Sequence, residues 1–306
     1  QDIVDTPFYS DAYSHEPRYY QRIAINRTVE AVAKGQERVL IVMATGTGKT
    51  YTAFQIIHRL HKSGAKKKIL YLADRNILID QTMTQDFKPF KKFMCKVKDG
   101  EIDTAFEVYM ALYHQLVGKD GEPDPFLKVK PEYFDLIIVD ECHRGSAKDD
   151  SAWRKVLEYF KSATQIGMTA TPKAETGANN LDYFGDPIYT YSLLQGIQDG
   201  FLAPYRVTNS YIDLDLQGFT PEEDEKDIYK KIIEQRLYQQ KDYGRDITFI
   251  DRRELVARRI TKMLHNIGRM TKTIVFCTDI EEAEAMRQLL TTMNADLCQK
   301  DSRYVM

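Results

Sequence analysis

Met43-Ala44-Thr45-Gly46-Thr47-Gly48-Lys49-Thr50 sets a lysine and a hydroxyl directly behind a glycine-rich turn. An apolar run, Val39-Leu40-Ile41-Val42, precedes it, and Phe54, Ile57 and Leu60 follow at helical spacing. Strand, turn and helix in that order are the setting of a phosphate-binding loop. Its amides converge on an anion, and the helix N-terminus adds partial positive charge. Thr45, Gly46, Thr47 and Gly48 would cradle phosphates, Lys49 would reach the β- and γ-phosphates, and the Thr50 hydroxyl would ligate Mg²⁺. Met43 stands where the general pattern has its first glycine.

A second stretch, Leu136-Ile137-Ile138-Val139-Asp140-Glu141-Cys142-His143, ends an apolar strand on two adjacent acids. Taken alone it could be a solvated strand end. Opposite a phosphate loop it has chemistry to do. Asp140 would hold Mg²⁺ directly or through water, Glu141 would orient and deprotonate the attacking water, and His143 would report the state of the γ-phosphate. In a third stretch, Thr164 to Pro172, the hydroxyls of Thr169 and Thr171 could hydrogen-bond His143 and link hydrolysis to domain movement. Upstream, Gln21 has an amide whose donor and acceptor can pair with adenine N7 and its exocyclic amine, or it is an ordinary glutamine on a surface helix. Pro17 suits that helix's first turn, with Tyr20, Ile23, Ala24 and Val32 on one face.

These residues need a scaffold. At 306 residues the chain has room for two domains. Its 43% hydrophobic and 29% charged residues are those of an ordinary globular chain. A net charge of −2 excludes a global basic field, so nucleic acid would be met by a local strip. Lys88, Lys91, Lys92, Lys96 and Lys98 either form such a strip or are a solvated face. Cys95, Cys142, Cys277 and Cys298 are far apart, which argues against a zinc site or a disulfide framework and fits a reducing cytoplasm. No apolar run approaches the roughly 18 residues of a membrane span. The acidic start Gln1-Asp2-Ile3-Val4-Asp5, with no Met and no signal pattern, reads as a cut inside a longer protein.

Coarse patterning places buried strands at 68–72 and 107–112, each leading into a helix that Asn76 or Asp74 would cap in the first case. Coil is expected over 1–14 and a polar loop over 118–131. Further on, the pattern predicts a strand at 206–214, an exposed acidic connector at 221–226, and helices at 228–240, 253–265 and 280–290. It also predicts a buried strand at Thr273-Ile274-Val275-Phe276-Cys277.

The order Gln21, A-T-G-T-G-K-T, D-E-C-H, T-A-T-P resembles superfamily 2 helicases and translocases. The wording of Arg18-Tyr19-Tyr20-Gln21, Leu72-Ala73-Asp74-Arg75-Asn76, Asp140 to Gly145, Tyr183 to Tyr189 and Gly196 to Tyr205 looks like the motor (R, HsdR) subunit of type I restriction enzymes. The resemblance implies an α/β fold: a RecA-like parallel sheet with flanking helices (a P-loop NTPase), followed by a partial second RecA-like domain. Residues 1–16 would be a lead-in, 17–205 the first domain, and 206–306 a connector and the truncated start of the second. It implies ATP and Mg²⁺, translocation along double-stranded DNA, modification and specificity subunits as partners, and a cytoplasmic location. Arg75 matches a motif that contacts the DNA backbone, though a solvated arginine fits as well. The family's later arginines would lie beyond Met306, so the chain is expected to hold nucleotide and hydrolyse it feebly. Its nuclease signature is matched only in letters, by Pro123-Asp124 and Asp224-Glu225-Lys226, and is expected upstream. A strand-separating repair helicase and a nucleotide-binding assembly scaffold are the alternative readings.

Overall fold

The computed structural model describes residues 2–11, 15–73, 76–98, 100–118, 122–142, 154–171, 180–210, 221, 232, 234, 236 and 250–306. Two compact units divide the chain, Gln1–Tyr205 and Arg206–Met306.

The first unit is built on seven parallel strands: β1 (Arg38–Met43), β2 (Ile69–Ala73), β3 (Met94–Lys96), β4 (Val108–Leu112), β5 (Leu136–Val139), β6 (Thr164–Thr169) and β7 (Tyr189–Tyr191). Their order across the sheet is β3-β4-β2-β5-β6-β1-β7. Every residue of β2, β4, β5 and β6 is buried. Such near-continuous apolar strands are what a parallel sheet covered on both faces requires.

Side chains alternate across the sheet, and they sort into two cores. Val39, Ile41 and Met43 of β1 join Tyr71, Ile138 and Met168 under helices α2 (Tyr19–Ala33) and α3 (Lys49–Lys62). Leu40 and Val42 face the other way, toward Phe134, Phe160 and Phe184. A helix over 154–159 contributes Val156 and Leu157 to that second core. Gly167 in β6 lets Phe184 in: a Cβ there would stand 2.8 Å from the Phe184 ring.

The lead-in is more ordered than coil. A short helix, α1 (Asp2–Asp5), opens it. The segment behind it is pinned to α3, where Gln55 Oε1 accepts from Tyr9 N at 2.8 Å and Arg59 Nε donates to Thr6 O at 2.7 Å. On α2, Ile23 is 37% exposed and the buried face runs through Tyr20, Ala24, Ile25, Val29 and Val32 instead. Pro17 stands just outside that helix, before the Arg18 N-cap. The 118–131 loop holds a 3₁₀ turn, Pro125–Lys128, that buries Phe126.

In the second unit, helices α4 (Ile250–Ile267) and α5 (Ile280–Met293) bury Ala257 against Met286 and Leu290. The Arg253 guanidinium grips Glu282, and Asp279 caps α5 by accepting from Glu282 N at 2.8 Å. Among the described residues this unit has no strand. Residues 273–277 are neither paired nor buried: Ile274 is 80% and Phe276 91% exposed. The expected strand is therefore corrected to an unpaired segment, exposed except at Cys277. Pro221 is buried, against the expected exposed connector. Residues 206–210 form no strand, and 211–214, 222–226 and most of 228–240 lie outside the described residues.

Candidate active site

Three strands deliver the candidate residues to the carboxyl edge of the sheet. β1 runs straight into the glycine-rich loop, β5 ends one residue before Asp140, and β6 ends at Thr169. β5, β6 and β1 are consecutive neighbours, and this edge is where open α/β sheets bind ligands.

Met43 explains its own departure from the glycine pattern. It is still strand, paired with Tyr191 and fully buried in the core, and the turn begins only after it. Ala44 N donates to Tyr191 O at 3.0 Å. The Thr47 hydroxyl then closes the turn on Ala44 O at 2.6 Å. Gly46 (φ 85°) and Gly48 (φ 81°) take left-handed conformations that favour glycine. Thr45 and Gly46 are exposed, whereas Lys49 is buried as the first residue of α3.

Gln21 is tied to the protein on both sides of its amide. Its Nε2 donates to Thr47 O at 2.8 Å, and its Oε1 accepts from Arg18 N at 2.9 Å. The amide thus ties the start of α2 to the loop, and it keeps one N–H and one lone pair beyond these bonds. Tyr20, stacked on Tyr191 at 4.1 Å, adds a hydrogen bond to the same Thr47 carbonyl.

Across the edge, Asp140 is buried and Glu141 nearly so. Lys49 Nζ lies 3.2 Å from Glu141 Oε1. Glu141 takes a left-handed backbone (φ 51°), uncommon outside glycine, and its N–H turns back to Asp140 Oδ1 at 2.9 Å. The other Asp140 oxygen, Oδ2, accepts from the Tyr71 hydroxyl at 2.6 Å. Burial pushes the Asp140 carboxyl up, and the Glu141 charge adds to this; Tyr71 and Lys49 pull it down. Burial, and then the Asp140 charge, hold the Tyr71 hydroxyl well above the ordinary tyrosine value, while an interaction with the Thr50 side chain opposes them. Lys49, Thr50, Asp140 and Glu141 are thus gathered in one place.

Thr169 is buried, and its hydroxyl closes a small ring with the backbone of Thr171, accepting from N at 3.2 Å and donating to O at 3.1 Å. The Thr171 side chain is exposed. His143, Asp74 and Arg75 lie outside the described residues. In the lysine stretch, Lys96 pairs with Asp80 at 2.6 Å and Lys88, Lys91, Lys92 and Lys98 are exposed. Asp124 of the nuclease-like letters serves its own loop, accepting from Gly118 N at 2.9 Å. No cluster of three or more acidic, His or Cys side chains fit for a metal occurs among the described residues.

Tyr71 is the site residue that motif reading missed. Its signal was a phenol inside an otherwise apolar strand, since a buried tyrosine hydroxyl needs a partner.

A family model described as "Type III restriction enzyme, res subunit" matches residues 14–174, which hold the loop, both acids and the threonine strand. The chain belongs to this family. Within it, the chain is a homologue of type I restriction endonuclease (HsdR) subunits. It is 54% identical over 304 residues to the EcoAI endonuclease subunit of Escherichia coli, covering 99% of this chain and 38% of that relative. The EcoKI endonuclease subunit of Escherichia coli K12 is 33% identical over 209 residues, 60% of this chain and 17% of its own. A solved fragment described as an HsdR subunit of a type I restriction enzyme from Vibrio vulnificus superposes with a TM-score of 0.69 at 36% identity, covering 99% of this chain and 49% of that one. The helicase MrfA, at 12% identity and a TM-score of 0.52, shares the fold over 95% of this chain and 40% of its own. The chain spans well under two thirds of these relatives. Among the described residues no helix is long and apolar enough to cross a membrane.

Proposed function

We propose that this chain is the ATP-hydrolysing motor part of a type I restriction endonuclease subunit, working on double-stranded DNA alongside modification and specificity subunits. The observation that carries the reading is the pairing of Lys49 with Glu141 at 3.2 Å beside buried Asp140, at the mouth of a glycine-rich loop. The 54% identity to the EcoAI subunit over 99% of the chain supports the restriction family over a repair helicase.

The residues account for the chemistry in turn. The loop amides and the α3 N-terminus attract the triphosphate. Lys49 exchanges Glu141 for phosphate oxygens, and the carboxylate so released takes a proton from water. The buried surroundings of both side chains strengthen their charges. Thr50 and Asp140 offer the hard oxygen donors that suit Mg²⁺, and the Tyr71 phenol holds Asp140 in place. When bound there, the ion would neutralise charge on the phosphates. Gln21 contributes by holding the loop, and Arg75 by contacting the DNA backbone. Thr169, Thr171 and His143 would relay the state of the γ-phosphate.

Calorimetry with ATP tests the reading. Lys49→Ala should abolish measurable binding. In the full-length protein, Glu141→Gln should retain binding and stop turnover, whereas a scaffold whose nucleotide is structural would have no turnover to lose. Unchanged affinity in Lys49→Ala would remove the site from this loop.

A further inference from the structure

We propose that Tyr71 is a positioning residue for the divalent cation, presetting the Asp140 carboxylate that holds it. The inference rests on the reading of Thr50 and Asp140 as the Mg²⁺ ligands.

Tyr71 lies at the centre of β2 and is 1% exposed. β2 is hydrogen-bonded to β5, with Tyr71 opposite Ile138 and Leu72 opposite Val139. Its ring packs edge-on to Phe87 at 5.5 Å, which fixes the phenol in the core below the strand ends. From there the hydroxyl meets Asp140, one residue past β5. A single oxygen therefore ties β2 to the acidic end of β5.

The order of protons follows from what each group can do. An ionised carboxylate only accepts, so the phenol proton goes to Asp140 Oδ2. Oδ2 takes the phenol and Oδ1 takes the Glu141 N–H, so the carboxylate cannot rotate, yet each oxygen keeps a lone pair. The ligand is thus oriented by a residue that carries no charge.

Partners that orient metal ligands typically govern metal affinity by about 10–100-fold. Tyr71→Phe removes one oxygen and keeps the ring. The test titrates Mg²⁺ against binding of a fluorescent, non-hydrolysable ATP analogue, with an EDTA arm for the metal-free affinity. The expected result is a rise of about 10-fold in the Mg²⁺ concentration for half-maximal effect, with the metal-free affinity within about twofold of the parent. Asp140→Asn should shift the same midpoint, and the double variant should add little to it, because the tyrosine acts through the aspartate. The cycle also guards against a simple folding defect, which would lower affinity in both arms. An unchanged midpoint, equal losses with and without Mg²⁺, or additive effects would each overturn the role of Tyr71. A parent chain that binds the analogue with no response to Mg²⁺ would instead overturn the reading of Thr50 and Asp140.

Discussion

Two apolar runs of nearly the same make-up have opposite fates in this molecule. Val39-Leu40-Ile41-Val42 lies between β6 and β7, buried on both faces. Thr273-Ile274-Val275-Phe276-Cys277 leaves Ile274 and Phe276 in solvent, and among the described residues no backbone bond holds its amides. The difference lies in the neighbours. A strand gains its hydrogen bonds and most of its burial from flanking strands and from helices laid across it. β1 has two partner strands and a core on each face. In the second unit the described apolar contacts centre on the α4–α5 pair. β-propensity is thus a conditional property, realised where a pleated, half-built surface is waiting.

Truncating the two runs gives the sharpest contrast. Ile41→Ala should cost the first unit about 2–5 kcal/mol, because a cavity opens in a core that cannot collapse. Native-state hydrogen exchange of the β1 and β6 amides measures this directly. A loss below about 1 kcal/mol there would put the two runs on equal footing and break the comparison.

A smaller, graded effect is expected from His58, on the α3 face that the lead-in covers. Its Nε2 is buried without a hydrogen-bond partner. Burial, with Lys62, His61 and Arg59 nearby, pushes its pKa down from 6.5 to about 4. Above 6.5 the ring is neutral folded or unfolded and contributes no pH dependence. As pH falls from 6.5 toward 4 the unfolded chain binds the proton first, so stability falls through that window. Urea midpoints taken from pH 7.5 to 4.5 should show the decline, and His58→Gln should flatten it. An identical slope in the variant would clear His58 of the effect.

The smallest effect belongs to Ile274→Thr, expected within about 0.5 kcal/mol of the parent. Fast exchange of amides 273–277 should accompany it. Strong protection there would mean that the run does find a sheet, and the contrast with β1 would vanish.

The glycine loop, the acidic strand end and the continuous apolar runs of the parallel strands were readable because each is a local rule. A turn needs left-handed residues at Gly46 and Gly48, and an apolar run beside it needs a sheet. What could not be read depends on distant partners. Met43 looked like a defect until its pairing with Tyr191 placed it in the strand. Nothing in the spacing of Gln21 shows that its amide bonds to Arg18 and Thr47. Ile23 fits the apolar spacing of α2 but falls at the rim of the buried face. Tyr71 belongs to no motif, since its importance arises only from β2 lying beside β5. The 273–277 run failed for the same reason in reverse.

The anchoring of the lead-in to α3 has a mechanical consequence. The helix that begins with Lys49 and Thr50 carries Gln55 and Arg59 roughly two and three turns further on, and both are bonded to residues 4–9. Tension applied to the first residues of the chain is therefore shared by α3 and by α2, on which α1 packs. A load on that end would bear on the two helices that flank the glycine-rich loop.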